Sequence, residues 1–107
     1  MTQTVIDATG TYDAVAHVEA RFGANAWGRE VLDIGNGAGL EVARLTDSRV
    51  TIFPVWWAEG CGWLRGDTGR KRGHQGVMVS RGDAQETRRA VALVSTRAIG
   101  LAREMGA

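Results

Sequence analysis

The stretch VLDIGNGAGLEVARL, residues 31–45, constrains the fold of this chain more than any other part of it. From Leu40 to Leu45 two sets of residues alternate, which is the period-two pattern of a β-strand. Asn36-Gly37 precedes this run, and the pair favours the positive φ angles of a two-residue hairpin turn. The stretch therefore predicts two antiparallel strands joined by a glycine-rich tip at residues 35–39.

The first nine residues of the stretch, VLDIGNGAG, also resemble the first motif of the class I methyltransferases. In that family an apolar strand ends in an acid and a glycine-rich turn follows, and the matching positions here are Asp33, Gly35, Gly37 and Gly39. The resemblance implies a strand–loop–helix unit that binds S-adenosylmethionine. The hairpin is the preferred interpretation, because LEVARLTDS is short for the crossover that a parallel return strand needs. We therefore expect no cofactor.

Further short strands are predicted between the hairpin and the C-terminal segment. The chain has 15 glycines and one proline, a ratio that indicates many tight turns. RVTIFPVWW is rich in β-branched and aromatic residues, and CGWLR and GVMVS are weaker strand candidates. Pro54 lacks a backbone donor, so the strand that contains it is expected at a sheet edge or with a bulge.

Helices are predicted at both ends. TYDAVAHVEARFG begins at a candidate N-cap, Thr11, and stops at Gly23. Residues 83–105 begin with a capping box of Asp83 and Glu86. One apolar stripe follows on this helix: Thr87, Val91, Val94, Ala98, Leu101 and Met105.

The predicted fold is α+β, in a single domain of residues 1–107 whose residues 1–9 are a flexible start. An N-terminal helix precedes an antiparallel meander of four or five short strands, and a C-terminal helix follows. Both helices lie on one face of the sheet, which leaves the other face for solvent or a partner.

The tryptophans provide the first candidate binding surface. Consecutive residues of a strand point to opposite faces, so Trp56 and Trp57 cannot both lie in one core. One is expected to face the helices, and the other, near Trp63, to be exposed and to bind a partner. The alternative, in which Trp57 packs under the following loop or against Trp27, remains open at this point.

The loop RGDTGRKRGH provides the second candidate. It holds four basic residues and a histidine: Arg65, Arg70, Lys71, Arg72 and His74. Such a cluster can contact phosphates, which makes binding of RNA or DNA the alternative function. The order helix–strands–helix resembles the double-stranded RNA-binding domain, which also implies an RNA partner. The other interpretation is a solvated loop that keeps a sheet edge soluble.

Charge and chemistry exclude other classes. The net charge of +1 gives the whole chain no attraction to nucleic acid or to an anionic membrane. The single cysteine, Cys61, excludes an intrachain disulfide, and His17 and His74 have no third ligand at metal spacing. A Cys61–His74 pair matches no nucleophile motif, so we expect no catalytic site.

The expected function is therefore that of a small non-enzymatic module that binds a protein by surface contact. Inhibitors, immunity proteins, adaptors and phage accessory proteins are of this type, and a homodimer is included among the partners. The start MTQTVIDATG has no signal-peptide pattern, and no apolar stretch is long enough to span a membrane. A cytoplasmic location is the expectation.

Overall fold

The computed structural model describes residues 4–10, 13–22, 29–46, 48–66 and 74–105. Within these residues a six-stranded sheet packs against helices. The elements in chain order are β1 (Thr4–Asp7), α1 (Ala14–Glu19), β2 (Glu30–Gly35), β3 (Ala38–Thr46), β4 (Arg49–Ala58), β5 (Gly62–Arg65), β6 (Val77–Ser80) and α2 (Ala84–Met105). The predicted α+β class is confirmed.

The glycine-rich stretch is a hairpin. β2 and β3 pair antiparallel, with Leu32 opposite Leu40. Asn36 and Gly37 form the tip with φ angles of 57° and 78°, the left-handed conformations that an Asn-Gly turn favours. The hairpin prediction is confirmed, and a strand rather than a helix follows the glycines. The segment therefore lacks the strand–loop–helix geometry that the methyltransferase resemblance implies.

The sheet is mixed, so the prediction of a purely antiparallel meander is wrong. β1 pairs parallel with β2, and α1 forms the crossover between them. Residues 4–7, which we expected within a flexible start, form this edge strand. The crossover helix is short, and its N-cap is Asp13, whose Oδ1 accepts the Ala16 N–H at 3.0 Å. The predicted cap, Thr11, and the predicted stop, Gly23, lie outside the described residues.

Pro54 lies inside β4, a central strand that pairs with β3 on one edge and with both β5 and β6 on the other. β6 pairs with residues 49–52 of β4 and β5 with residues 55–58, so Pro54 falls in the interval between them. On the other edge, Trp57 donates its N–H to the Gly37 carbonyl at 2.8 Å. Successive backbone N–H groups of a strand point to opposite edges, so the nitrogen of Pro54 faces the edge that β5 and β6 share. Because it lies in the interval between these two strands, the missing N–H of Pro54 removes no hydrogen bond from the sheet. The prediction of an edge or bulged strand is wrong for this reason.

Both helices pack on one face of the sheet. The apolar cluster on this helix side combines residues of the sheet, of α1 and of α2: Leu32, Leu40, Val42, Val50, Ile52, Val79, Val18, Ala90, Val94 and Ala98. The predicted stripe of α2 is buried at Thr87, Val94, Ala98 and Leu101, whereas Met105 is exposed. Within the described chain, no helix is long and apolar enough to cross a membrane.

Candidate binding face of the sheet

The face of the sheet opposite the helices is called the outer face. Residues opposite each other in register lie on the same face, and the registers assign these residues to it: Val5, Asp7, Val31, Asp33, Gly39, Glu41, Phe53, Val55, Trp57, Trp63, Arg65 and Met78. Several of them are fully buried, so part of this face is itself a small second core of Val31, Val55 and Trp63.

The two adjacent tryptophans lie on opposite faces of β4. Trp56 is opposite Ala38 and Leu64 on the helix side and is 7% exposed. Trp57 is opposite Trp63 on the outer face and is 45% exposed. The two outer indoles contact each other edge to face, with ring centroids 5.6 Å apart and an interplanar angle of 68°. Of the two neighbours, Trp57 is therefore the exposed one.

Gly39 of β3 leaves the space that the buried indole of Trp63 occupies. A Cβ built on Gly39 would lie 2.8 Å from Cζ3 of Trp63 and 3.1 Å from side-chain atoms of Val31 and Val55. No other residue leaves room for Trp63 to lie across β3, so the packing of this indole requires glycine at position 39. Sequence reasoning had placed this glycine in the hairpin tip and in the methyltransferase-like motif, and neither interpretation anticipated its contact with Trp63.

An open groove of about 710 Å³ lies at this end of the outer face and is called the tryptophan groove. Trp57 and Trp63 line it together with residues of β1, of the segment that follows β1, of β2 and of the hairpin tip: Val5, Asp7, Thr9, Asp33, Gly35, Asn36 and Gly37. Its volume is in the range of ligand-binding clefts. The groove therefore combines indoles from one part of the sheet with carboxylates from another.

The two carboxylates come from neighbouring parallel strands. Asp7 and Asp33 are register partners at the ends of β1 and β2. Oδ1 of Asp7 accepts the N–H and the hydroxyl of Thr9, at 3.0 and 2.6 Å, and Oδ1 of Asp33 accepts the Gly35 N–H at 2.9 Å. The hydroxyl bond and then the backbone bond from Thr9 hold the pKa of Asp7 below its usual value. Asp7 is therefore ionised at neutral pH.

A buried charge cluster lies farther along the outer face. Glu41 is fully buried, and Arg65 donates to its Oε1 through Nε, at 3.0 Å, and through Nη2. Nη2 of Arg29 lies 2.8 Å from Oε2 as a charge contact, although its angles do not make a hydrogen bond. The Arg65 guanidinium also stacks 3.8 Å above the Phe53 ring. These contacts hold Arg65 in a fixed position.

The basic-loop candidates are only partly within the described chain. Arg65 is in the cluster just described, and His74 is 5% exposed. A Cβ on Gly66 would lie 2.0 Å from Nδ1 of His74, so the imidazole packs directly against that glycine. Arg70, Lys71 and Arg72 lie outside the described residues, as does Trp27. Of the five candidates, the structure therefore places Arg65 and His74, each in contact with other residues of the domain.

A second buried charge cluster lies under α1, where sequence reasoning missed it. Glu30 accepts hydrogen bonds from Nε and Nη2 of Arg21, at 2.6 and 2.9 Å, and contacts Nε2 of His17 at 3.0 Å. Burial raises the pKa of Glu30, but the bonds from Arg21 and His17 outweigh it and hold the pKa below its usual value. The cluster joins α1 to β2, and none of its three residues lines the tryptophan groove. No local sequence pattern indicates this cluster, because its three residues belong to different segments of the chain.

The described residues contain no group of three or more potential metal ligands, and Cys61 is exposed. No protein-family model, curated protein or solved structure matches this chain. The outer face and its groove are therefore interpreted from their own chemistry.

Proposed function

We propose that this chain is a non-enzymatic module that binds a protein partner through the outer face. The observation that carries the proposal is Trp57, a large indole that remains 45% exposed while the neighbouring Trp56 is buried. Tryptophan is enriched among the residues that dominate binding energy in protein interfaces. Burying a whole aromatic side chain contributes about 1.5–3 kcal/mol, and the exposed part of Trp57 leaves about half of that free energy for binding.

The order already present around Trp57 supports this proposal. Trp57 contacts Trp63, whose own position depends on Gly39, and Arg65 is fixed between Glu41 and Phe53. Side chains that are ordered before binding lose little conformational entropy when a partner covers them. A rigid aromatic residue with a polar rim is the usual arrangement at the centre of a protein interface.

Other apolar groups extend the same surface. Val5 and Met78 are 49% and 45% exposed, and both lie on the outer face. They come from β1 and β6, at opposite edges of the sheet, so a partner that spans the face buries apolar area at both ends. Leu93 and Ile99 are also exposed apolar residues, but they lie on α2 and not on the outer face. They therefore serve as controls with similar exposure outside the proposed binding surface.

Charge favours a protein over a nucleic acid as the partner. Glu41 neutralises part of the charge of Arg65, and Asp7 and Asp33 place carboxylates in the groove beside Trp57. Carboxylates repel phosphates, and phosphate contacts dominate affinity for nucleic acids. Nucleic-acid binding through the loop of residues 65–74 is the alternative function, and the capture experiment described next must distinguish it from binding to a protein.

The proposal is tested by affinity capture from a lysate of the native host, with three forms of the immobilised chain. The wild type is compared with Trp57→Ala and with Leu93→Ala, because both residues are 45% exposed and only Trp57 lies on the outer face. We expect a defined protein to bind the wild type and Leu93→Ala, and to bind Trp57→Ala about 10- to 100-fold more weakly. Nuclease treatment should leave the capture unchanged.

Three results contradict the proposal. One is equal capture by Trp57→Ala and the wild type, and another is capture that nuclease abolishes, which assigns the chain to nucleic-acid binding. The third is a lack of any captured protein together with a monomeric wild type in analytical sedimentation at high concentration. Self-association that Trp57→Ala abolishes supports the proposal, with a second copy of the chain as the partner.

A further inference from the structure

Two guanidiniums of the outer face share one buried carboxylate. Arg65 donates to Oε1 of Glu41 through Nε and Nη2, and Nη2 of Arg29 lies 2.8 Å from Oε2. Because both arginines contact the same carboxylate, their nearest nitrogens are separated only by its width and one short contact at each end. The Glu41 side chain is 1% exposed, whereas each arginine side chain is 42% exposed. The carboxylate therefore lies beneath, and the two guanidiniums reach solvent side by side.

The charge of this cluster is not balanced. Two guanidiniums against one carboxylate leave one positive charge, and the residues that the structure describes pair no second acid with Arg29 or Arg65. Nη1 of each arginine donates to no acceptor within the same residues. Arginine stays charged at physiological pH, and like charges this close repel each other. An anion that contacts both guanidiniums from the solvent side is therefore attracted to the cluster.

Stability alone does not account for the cluster. A buried ion pair generally stabilises a fold no more than apolar side chains of similar volume, because its charges must leave water. Oε2 of Glu41 is buried and accepts no hydrogen bond within the described chain, which adds to that cost. The arrangement does orient the arginines, since Arg65 also stacks on the Phe53 ring and Arg29 donates to the Trp63 carbonyl at 3.3 Å. Guanidiniums held in this way lose little conformational entropy when an anion binds.

The cluster continues the surface that the proposed function assigns to a partner. Trp63 and Arg65 are two residues apart on one face of β5, which places them about 7 Å apart along the strand. Trp57 contacts Trp63 from the neighbouring strand. A partner that covers Trp57 with an interface of ordinary size therefore also covers Arg65. Tryptophan and arginine are both enriched among the residues that dominate the binding energy of such interfaces.

We propose that Arg29 and Arg65 together bind a carboxylate side chain of the protein partner, an aspartate or a glutamate. This inference rests on the proposed function, since it names the chemistry by which the partner is recognised. The planar fork of a guanidinium matches the two oxygens of a carboxylate, whose single charge equals the excess charge of the cluster. A nucleic acid brings a row of phosphates instead, and Asp7 and Asp33 on the same face repel them.

The test uses two capped tripeptides, acetyl-Gly-Glu-Gly-amide and acetyl-Gly-Gln-Gly-amide, and a short single-stranded oligothymidylate. Each is titrated at low salt into the isotopically labelled full chain while the side-chain Nε–H signals of Arg29 and Arg65 are followed by NMR. We expect saturable shifts with the glutamate peptide at affinities on the order of millimolar. The glutamine peptide has the same shape and no charge, so it should bind about tenfold more weakly. The oligothymidylate should bind no more tightly than the glutamate peptide.

Matched variants locate the contact. Arg29→Gln removes one guanidinium while Arg65 still donates twice to Glu41, so the buried carboxylate keeps its hydrogen bonds. This change should weaken the glutamate peptide about fivefold or more, whereas Arg89→Gln, at an exposed position of α2, should leave the affinity unchanged. Should Arg29→Gln lose its dispersed spectrum, the wild-type titration decides the question, because the shifts must then be largest at Arg29 and Arg65 and absent at Arg89.

Some results overturn the inference and leave the proposed function in place. These are equal binding of the glutamate and glutamine peptides, no saturable shift, or equal affinity of Arg29→Gln and the wild type, in each case with a protein captured through Trp57. An oligothymidylate that binds these arginines more tightly than the glutamate peptide overturns it as well. Loss of Trp57-dependent capture overturns the proposed function itself. Capture that both Trp57→Ala and Arg29→Gln weaken, with Arg89→Gln unaffected, supports both.

Discussion

The opposite environments of Trp56 and Trp57 predict different consequences for the same substitution at adjacent positions. Trp56→Ala removes an indole that is 7% exposed on the helix side of the sheet. Trp57→Ala removes one that is 45% exposed on the outer face and contacts the edge of Trp63. The comparison is internally controlled, because both changes delete the same atoms from one strand.

The expected losses follow from burial. Replacing a buried tryptophan by alanine lowers the free energy of unfolding by about 3–5 kcal/mol, because a cavity remains. For Trp57 about half of the transfer free energy of roughly 1.5–3 kcal/mol is lost, and the edge-to-face contact with Trp63 contributes about 0.5–1.5 kcal/mol more. The total for Trp57→Ala is then about 2 kcal/mol, out of the roughly 5–15 kcal/mol that stabilise a typical domain.

Urea denaturation and thermal melting measure both variants against the wild type. At about 4 °C per kcal/mol for a chain of this size, Trp57→Ala should melt about 8 °C below the wild type, and Trp56→Ala about 12–20 °C below it. Trp57→Ala should also keep its cooperative transition. Equal losses, or a larger loss for Trp57→Ala, refute the assignment of Trp57 to a surface that is free to bind.

The remaining predictions concern packing and charge. Gly39→Ala should lower the free energy of unfolding by about 1–3 kcal/mol in urea melts and shift the Trp63 indole signal, because the new methyl meets that ring at 2.8 Å. Gly100→Ala, in open space on α2, should raise the free energy of unfolding by about 0.5–1 kcal/mol, and a decrease contradicts the helical assignment. The lowered pKa of Glu30 makes its ionised form stabilising, so this contribution is complete above the unfolded pKa and is lost as pH falls through the folded pKa. The stability deficit of Glu30→Gln should therefore be constant above about pH 5 and shrink in acid, and a deficit that grows in acid contradicts that sign.

Local chemistry predicted the elements whose signals lie within a few residues. The Asn36-Gly37 pair fixed the hairpin, because both positions need a positive φ that other residues avoid. The C-terminal helix followed from Asp83, whose Oδ1 accepts the Glu86 N–H at 2.9 Å as its cap. In both cases the determining contacts are local, so the sequence pattern contains them.

Long-range pairing accounts for the features that were missed. β1 is only Thr4–Asp7, and its partner β2 begins after α1, so no local pattern marks the parallel pair. Pro54 indicated an edge strand because sequence reasoning considers each strand alone, whereas β5 and β6 divide one edge of β4 between them. Both corrections depend on which strands meet, and residue types within one segment do not specify that.

The candidate site was predicted only in part, because one of its features is local in the sequence and the others depend on which strands meet. Strand alternation separates Trp56 from Trp57, and this separation is present in the structure. Asp33 was noted only as the acid of the methyltransferase-like motif, and its pairing with Asp7 was not anticipated, since Asp7 belongs to the unpredicted strand. The fit of Trp63 over Gly39 joins two strands that are not neighbours in the sheet, and only the folded arrangement reveals it.

The central claim, that the outer face at Trp57 is the surface that meets a protein partner, is tested most directly by site-specific photo-crosslinking in the native host. A benzoylphenylalanine is introduced in place of Trp57 in one chain and in place of Leu93 in another, since the two residues are equally exposed on opposite sides of the sheet. The account predicts a discrete protein adduct, or a crosslinked dimer, from position 57 and not from position 93. Adducts of the same protein from position 93 alone, or a nucleic-acid adduct at position 57, contradict it.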